Sequence, residues 1–302
     1  MIVRDTPKPW QLLFIMRGSI VPKILPQLAF VTVLAAAVTW ADLSGLVRFP
    51  EILPLPFSLI GIALSIFSGF RNSASYERWW EARKLMGQLV INCRSLSRLA
   101  LAHLGPEAGT GLARSCIGFA EACTRHLRGE EVSPSSLAWL APETAARAAR
   151  SRNVPEAVLS RMSTDIAAAL RSGALSAPMA QAMEEQVTGL SSVLAGAERI
   201  KHTPLPFAYS LLLHRTVYLF CVLLPFGLAE SAGLWTPVLC AIVAYTFFGL
   251  DALGDELAAP FGTGNNALPL SAIARTVEIN VLEQLGAEEL PAPIAPVDYV
   301  LN

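Results

Sequence analysis

The sequence predicts an all-α membrane protein with four transmembrane helices and a large helical cytoplasmic region. Three observations carry this. The 302 residues are 53% hydrophobic and only 16% charged, against about 25% charged in ordinary soluble domains. The mean hydropathy of +0.47 is too high for a soluble chain and too low for one that lies wholly in lipid. No run of residues sustains the period-two alternation of a half-buried strand.

Four apolar segments come in two pairs. Residues 24–40 form the first and 55–70 the second. Both are shorter than the roughly 20 residues a bilayer asks of a perpendicular helix, so tilting or shielding inside a bundle is implied. After a long gap come 211–229 and 234–250. The gap is polar helix with breaks: 79–104, a GPEAG turn at 105–109, 112–127, a loop-rich stretch over 130–154, then 155–170 and 178–199. Pro134, Pro142 and Pro155 sit where helices start. A short helix over 269–285 precedes the Pro-rich tail PAPIAPVDYVLN, which is either disordered or strapped over a neighbour. The expected division is 1–70, 71–203, 204–250 and 251–302.

Basic residues orient the bundle. Arg4, Lys8, Arg17 and Lys23 precede the first span; Arg71, Arg78, Arg83 and Lys84 follow the second; Lys201 and Arg215 flank the third. Only Arg48 lies between spans one and two, and no Lys or Arg lies near 230–233. Positive-inside counting then puts both termini and the middle segment in the cytoplasm. The start, MIVRDTPKPWQLLF, lacks the apolar core and cleavage site of a secretory signal.

The most informative stretch is PFSLIGIALSIFSGFRNSASYERWW, 56–80, which passes from apolar to charged without a break signal. Ile62, Ile66 and Phe70 recur every fourth position, and Gly61, Ser65, Gly69 and Ser73 do so one position earlier. On spacing alone the bulky stripe reads as a packed or lipid-facing surface. Its polar continuation through Ser73 and Glu77 suggests water beyond Phe70. Nine residues span about 12 Å of helix, enough for a pore constriction that gates by dewetting.

Charged residues near the spans have structural readings too. Arg71, Glu77, Arg78, Trp79 and Trp80 suit an interfacial anchor, Arg78 can pair with Glu77 or Glu81, and Asn72, Glu77 and Arg78 are candidates for a polar vestibule or a structural role. Asp251, Asp255 and Glu256 end the fourth span. They form a solvated helix end, pair with the basic start of the cytoplasmic segment, or draw cations to a vestibule. His103, His126, His202 and His214 are scattered, without carboxylate or His partners at metal spacing. The five cysteines form no CxxC and read as free thiols. No nucleophile motif or phosphate loop is present, so neither an enzyme nor a cofactor is expected. A net charge of −1 argues against nucleic acid as a partner. The near-absence of charge inside the spans favours a passive path over a coupled transporter.

SGFRNSASYERWWEARKLMG (68–87), IKHTPLPFAYSLLLHR (200–215), LPFGL (224–228) and FGLDALGDELAAPFG (248–262) together resemble the bestrophin family, in its bacterial branch. The resemblance covers most of the chain. It implies a homopentameric ion channel in the bacterial inner membrane, with four membrane helices per subunit around one central pore. It assigns the pore neck to Ile62, Ile66 and Phe70, and a second, cytoplasmic constriction to the region of Met179 or Ala180. Where eukaryotic members carry an acidic calcium clasp, this chain reads TGNNALPL, 263–270, without a carboxylate. Calcium gating of that kind is therefore not expected. Animal members, which conduct anions, have more aromatic necks, and an aromatic edge is positive. With two isoleucines in the neck and acids near its mouth, the expectation is conduction of monovalent cations, sodium or potassium. A chloride or other anion channel is the alternative. A membrane-anchored regulatory or scaffold protein is the second.

Overall fold

The computed structural model describes residues 1–302 apart from 5–7, 9, 17 and 48–53. Arg17 and Arg48, counted above for orientation, lie outside the described residues. The helices are α1 (Val21–Leu43), α2 (Pro54–His103), α3 (Pro106–Arg128), α4 (Pro134–Leu137), α5 (Pro142–Ala148), α6 (Val154–Arg171), α7 (Ala177–His202), α8 (Phe207–Ala232), α9 (Thr236–Ala258) and α10 (Leu270–Gln284). Two compact units result. One holds Arg4–Trp79 and Pro204–Ala259; the other holds Met1–Val3, Trp80–Thr203 and Pro260–Asn302.

In the first unit α1 packs on α8 and α9, and these pack on each other. Ile24, Val31, Leu64, Phe220, Leu224, Phe247 and Phe248 form its core. Val21–Leu43 and the stretch Phe207–Ala258, which comprises α8, a single 3-10 turn and α9, are long and apolar enough to cross a membrane. Both carry an internal proline or hydroxyl groups. Thr32, Thr39, Thr216 and Thr246 each donate to the carbonyl four residues back. That satisfies each hydroxyl within its own helix.

The second unit is built on the distal half of α2. Leu89, Cys93 and Leu96 from α2 join Phe119 and Ile117 of α3, Met162 and Ile166 of α6, and Met183 and Leu190 of α7 in its core. Gly105 caps α3, and Pro106 occupies its first turn, where a missing N–H costs nothing. The helix therefore starts six residues before the expected 112. The loop-rich stretch over 130–154 contains the short helices α4 and α5. A β-carbon on Gly109 would stand 2.8 Å from the Ala100 carbonyl oxygen, so α2 and α3 approach backbone to backbone there. Gly109→Ala is expected to cost about 1–3 kcal/mol, as overpacking does, read as a lower melting temperature.

The tail is an extended strap. Ile2 bridges Val300, Val3 N–H donates to Tyr299 O at 2.9 Å, and Ala272 N–H donates to Asn302 O at 2.9 Å. All five cysteines are free and buried. Burial, with the Glu198 carboxylate nearby, pushes the Cys123 thiol up to about 12. Since the thiolate is the reactive form, maleimide at neutral pH is expected to label none of the five until the protein is unfolded. Mass spectrometry before and after denaturation checks this.

Candidate functional site: the α2 stripe and the polar layer beside it

One face of α2 is buried against its own subunit: Leu64, Ser68, Arg71 and Ser75, continuing as Ala82, Met86, Leu89, Cys93, Leu96 and Ala100. Within each half these positions recur at the helical period. Ile62 and Ile66 lie about 160° around the helix from that face, and Phe70 about 130°. They are 58%, 52% and 64% exposed within the subunit. Glu77 continues their side, is exposed, and makes no ion pair among the described residues. Of the small residues, Gly61 meets the Phe220 ring, whereas nothing lies within 4 Å of Gly69.

A groove opens beside the stripe. It has a volume of about 650 Å³ and is lined by Ile62, Ile66, Phe220, Leu224, Val243 and Phe247 among others. Almost all its walls are hydrocarbon, and it carries no charge. Ile62 and Ile66 thus stand at the edge between the groove and the open side of α2, while Phe70 stands beyond it.

One turn past Ser68 the chemistry changes. The Arg71 guanidinium, 4% exposed, donates from Nη1 to the Asp251 carboxylate at 2.7 Å and to the Asp251 carbonyl at 3.1 Å. Its Nη2 donates to Asp255. His214 Nδ1 lies 2.7 Å from the other Asp251 oxygen, and its ring packs tilted against Tyr218, with centroids 4.6 Å apart and 45° between the planes. Lys23 reaches Glu256 at 2.5 Å, and Arg78 Nε donates to Ala258 O at 3.4 Å. Gly254 makes room for this layer: a β-carbon there would stand 2.5 Å from Asn72 Oδ1 and 3.2 Å from Arg71 Nη1.

The three acids at the end of α9 are therefore held by bases of α1, α2 and α8. Of the solvated, paired and cation-attracting readings, ion pairing is the one this geometry contains. Two histidines also find carboxylate partners, though not at a metal spacing. His214 pairs with Asp251, and His126 Nε2 lies 2.8 Å from Glu198 Oε1. Both carboxylates come from other helices, 37 and 72 residues away, so local spacing could not reveal them. Arg71 was legible as basic but not as the buried hub. The groove wall from α8 and α9 was also missed, since nothing local marks it.

Met179 and Ala180 sit in the first turn of α7. Ala180 is 5% exposed and packs inside the subunit, while Met179 is half-buried.

Apolar helices of bilayer length, a bare stripe on α2 and a strapped helical second unit define an α-helical membrane protein. The family profile described as Bacterial/Fungal Bestrophin protein matches residues 1–283. The chain belongs to that family. It is similar to a voltage-dependent anion channel-forming protein of Mesorhizobium japonicum, 40% identical over 99% of this chain and 96% of the relative. It is equally similar to the voltage-dependent anion channel-forming protein YneE of Escherichia coli K12, 40% identical over 98% of each. The crystal structure of a bacterial bestrophin homologue from Klebsiella pneumoniae superposes with a TM-score of 0.82 at 34% identity, over 88% of this chain and 100% of that one.

Proposed function

We propose that the chain is one subunit of a homopentameric, passive ion channel of the bacterial inner membrane, with α1, the proximal half of α2, α8 and α9 in the bilayer and both termini in the cytoplasm. One observation carries the reading. The apolar half of α2 is packed on its own subunit along a single narrow face, and its opposite side presents Ile62, Ile66 and Phe70. Copies arranged about an axis facing that side enclose an apolar neck about 12 Å long. Such a neck admits ions only when it is wetted. Met179, which keeps exposed surface, is the better candidate for the cytoplasmic constriction, since the Ala180 side chain is spent on internal packing.

The ions are monovalent anions. The relatives' printed names support this, and so does the pairing of Asp251, Asp255 and Glu256 with Arg71, His214 and Lys23, which takes away the acidic vestibule that favoured cations. A second reading, monovalent cations, is favoured by Glu77, which lies exposed on the neck side of α2 just past Phe70. Purified protein in planar bilayers under a potassium chloride gradient separates the two. A reversal potential near the chloride equilibrium value is expected, one near the potassium value overturns the anion reading, and absence of current overturns the channel.

A further inference from the structure

The second unit contains a cavity to which the proposed function gives no role. It lies between the first half of α3, residues 138–144 and α6, and has a volume of about 730 Å³. That is the size of a small-molecule site, roughly 300–1,000 Å³. Small residues on facing helices leave the space open: Ala108 and Gly111 on α3, Ala168 and Ala169 on α6. Leu104 and Trp139 add larger apolar walls.

The polar groups of the wall divide into satisfied and unsatisfied ones. Ser115 donates to Gly111 O at 3.0 Å, and Ser172 donates to Ala169 O at 3.0 Å. Asp165 accepts from Arg161 Nε at 2.7 Å. That bond holds the guanidinium by its inner nitrogen and leaves the outer two. Nη1 stands 3.6 Å from the Glu143 carboxylate, which is 89% exposed; this is beyond hydrogen-bond reach. Nη2 makes no hydrogen bond among the described residues. Thr144, next to Glu143 in the chain, lines the cavity and is 5% exposed. Its hydroxyl has no hydrogen bond among the described residues, and a nearly buried hydroxyl left so is costly. Arg114 also lines the cavity, without an ion pair among the described residues. Against these donors stands one unpaired acid of the wall, Glu107, two turns of α3 away from Arg114. The unsatisfied groups are thus mainly donors, and they match one negative charge rather than two.

We propose that this cavity binds a small organic carboxylate with an apolar body. The carboxylate lies on the outer nitrogens of Arg161, beside the Thr144 hydroxyl, and the body lies against Trp139, Leu104 and the alanines. Two guanidinium nitrogens in one plane suit the two oxygens of a carboxylate, and Asp165 fixes that plane through Nε. The contact of Arg161 with Glu143 brings α6 to the start of α5, where Thr144 sits. The proposal concerns the second unit alone and does not depend on which ion the channel passes.

Calorimetry on the full chain in detergent tests it, with the heat of the same titration into empty micelles subtracted. 4-Phenylbutanoate carries both the charge and the body, 4-phenylbutanamide keeps the body without the charge, and butanoate keeps the charge without the ring. Saturable binding of 4-phenylbutanoate is expected. The amide should bind more weakly by about tenfold or more, the effect of losing a charge-assisted contact. Butanoate should lose at least as much, since a ring's buried area goes with the ring. Arg161→Gln is expected to remove the preference for the acid over the amide. Nothing lies within 4 Å of a β-carbon placed on Gly111, so Gly111→Phe fills the cavity without meeting backbone and should abolish binding of the acid. Equal binding of acid and amide by the unaltered protein overturns the proposal, as does no saturable heat from the acid or an unchanged affinity in Gly111→Phe. The probe comparison uses the unaltered protein, so it stands even if a variant fails to fold.

Discussion

Alanine at Ile62, Ile66 or Phe70 is expected to raise single-channel conductance while leaving the fold intact. A long apolar neck holds back ions because it holds back their water. Widening one ring weakens that barrier, and each 1.4 kcal/mol removed is worth about tenfold in rate. The substitutions should be cheap for the subunit, because the three side chains are 52% to 64% exposed and lie opposite its packed face. Surface changes of this kind usually stay within about 0.5 kcal/mol. Single-channel recording paired with thermal melting reads both effects. Unchanged currents in all three variants would falsify the neck assignment. A large melting loss would instead make the stripe a core.

Arg71→Met is expected to destabilise the protein by about 3–5 kcal/mol, the usual result of removing one partner from a buried ion pair. The substituted side chain keeps most of the length and loses the charge. Asp251, whose side chain is 9% exposed, is then left with His214 alone. Asp255→Asn is the matched control. Its carboxylate touches the same guanidinium but is 65% exposed, and exposed pairs are worth about 1 kcal/mol or less. Denaturation of the purified protein should therefore separate the two variants by several degrees. Equal melting temperatures would show that the polar layer is solvated rather than buried.

The helices were largely legible in the sequence because each carries its own signal. Asn153 accepts from Glu156 N–H and opens α6, and prolines mark the first turns of α3, α5, α6 and α7. The side of α2 that bears Ile62, Ile66 and Phe70 was legible for the same reason, since bulky residues at a spacing of four define a stripe. What escaped was the opposite face. Leu64, Ser68, Arg71 and Ser75 mix one apolar residue with three polar ones, so no hydropathy pattern marks them as buried. Arg71 is buried against Asp251 and Gly254, about 180 residues further along the chain. The weight given to the acids as cation attractors failed at the same point. Charges can be counted in a sequence, but whether they are already neutralised depends on distant partners.

Because α2 is unbroken from Ile62 to Ser75, the residues of this stretch share a phase. Every residue turns the helix by about 100°, and Leu64 and Ser75 face the same way only because the number of residues between them is fixed. Adding or deleting one residue near Gly69 would leave the composition and the helical propensity on either side as they are. It would nevertheless turn Ile62 and Ile66 away from their side by more than a quarter revolution relative to Arg71 and Ser75. Along this segment the length of the chain is as strict a specification as any side chain, and loops elsewhere are where insertions can accumulate.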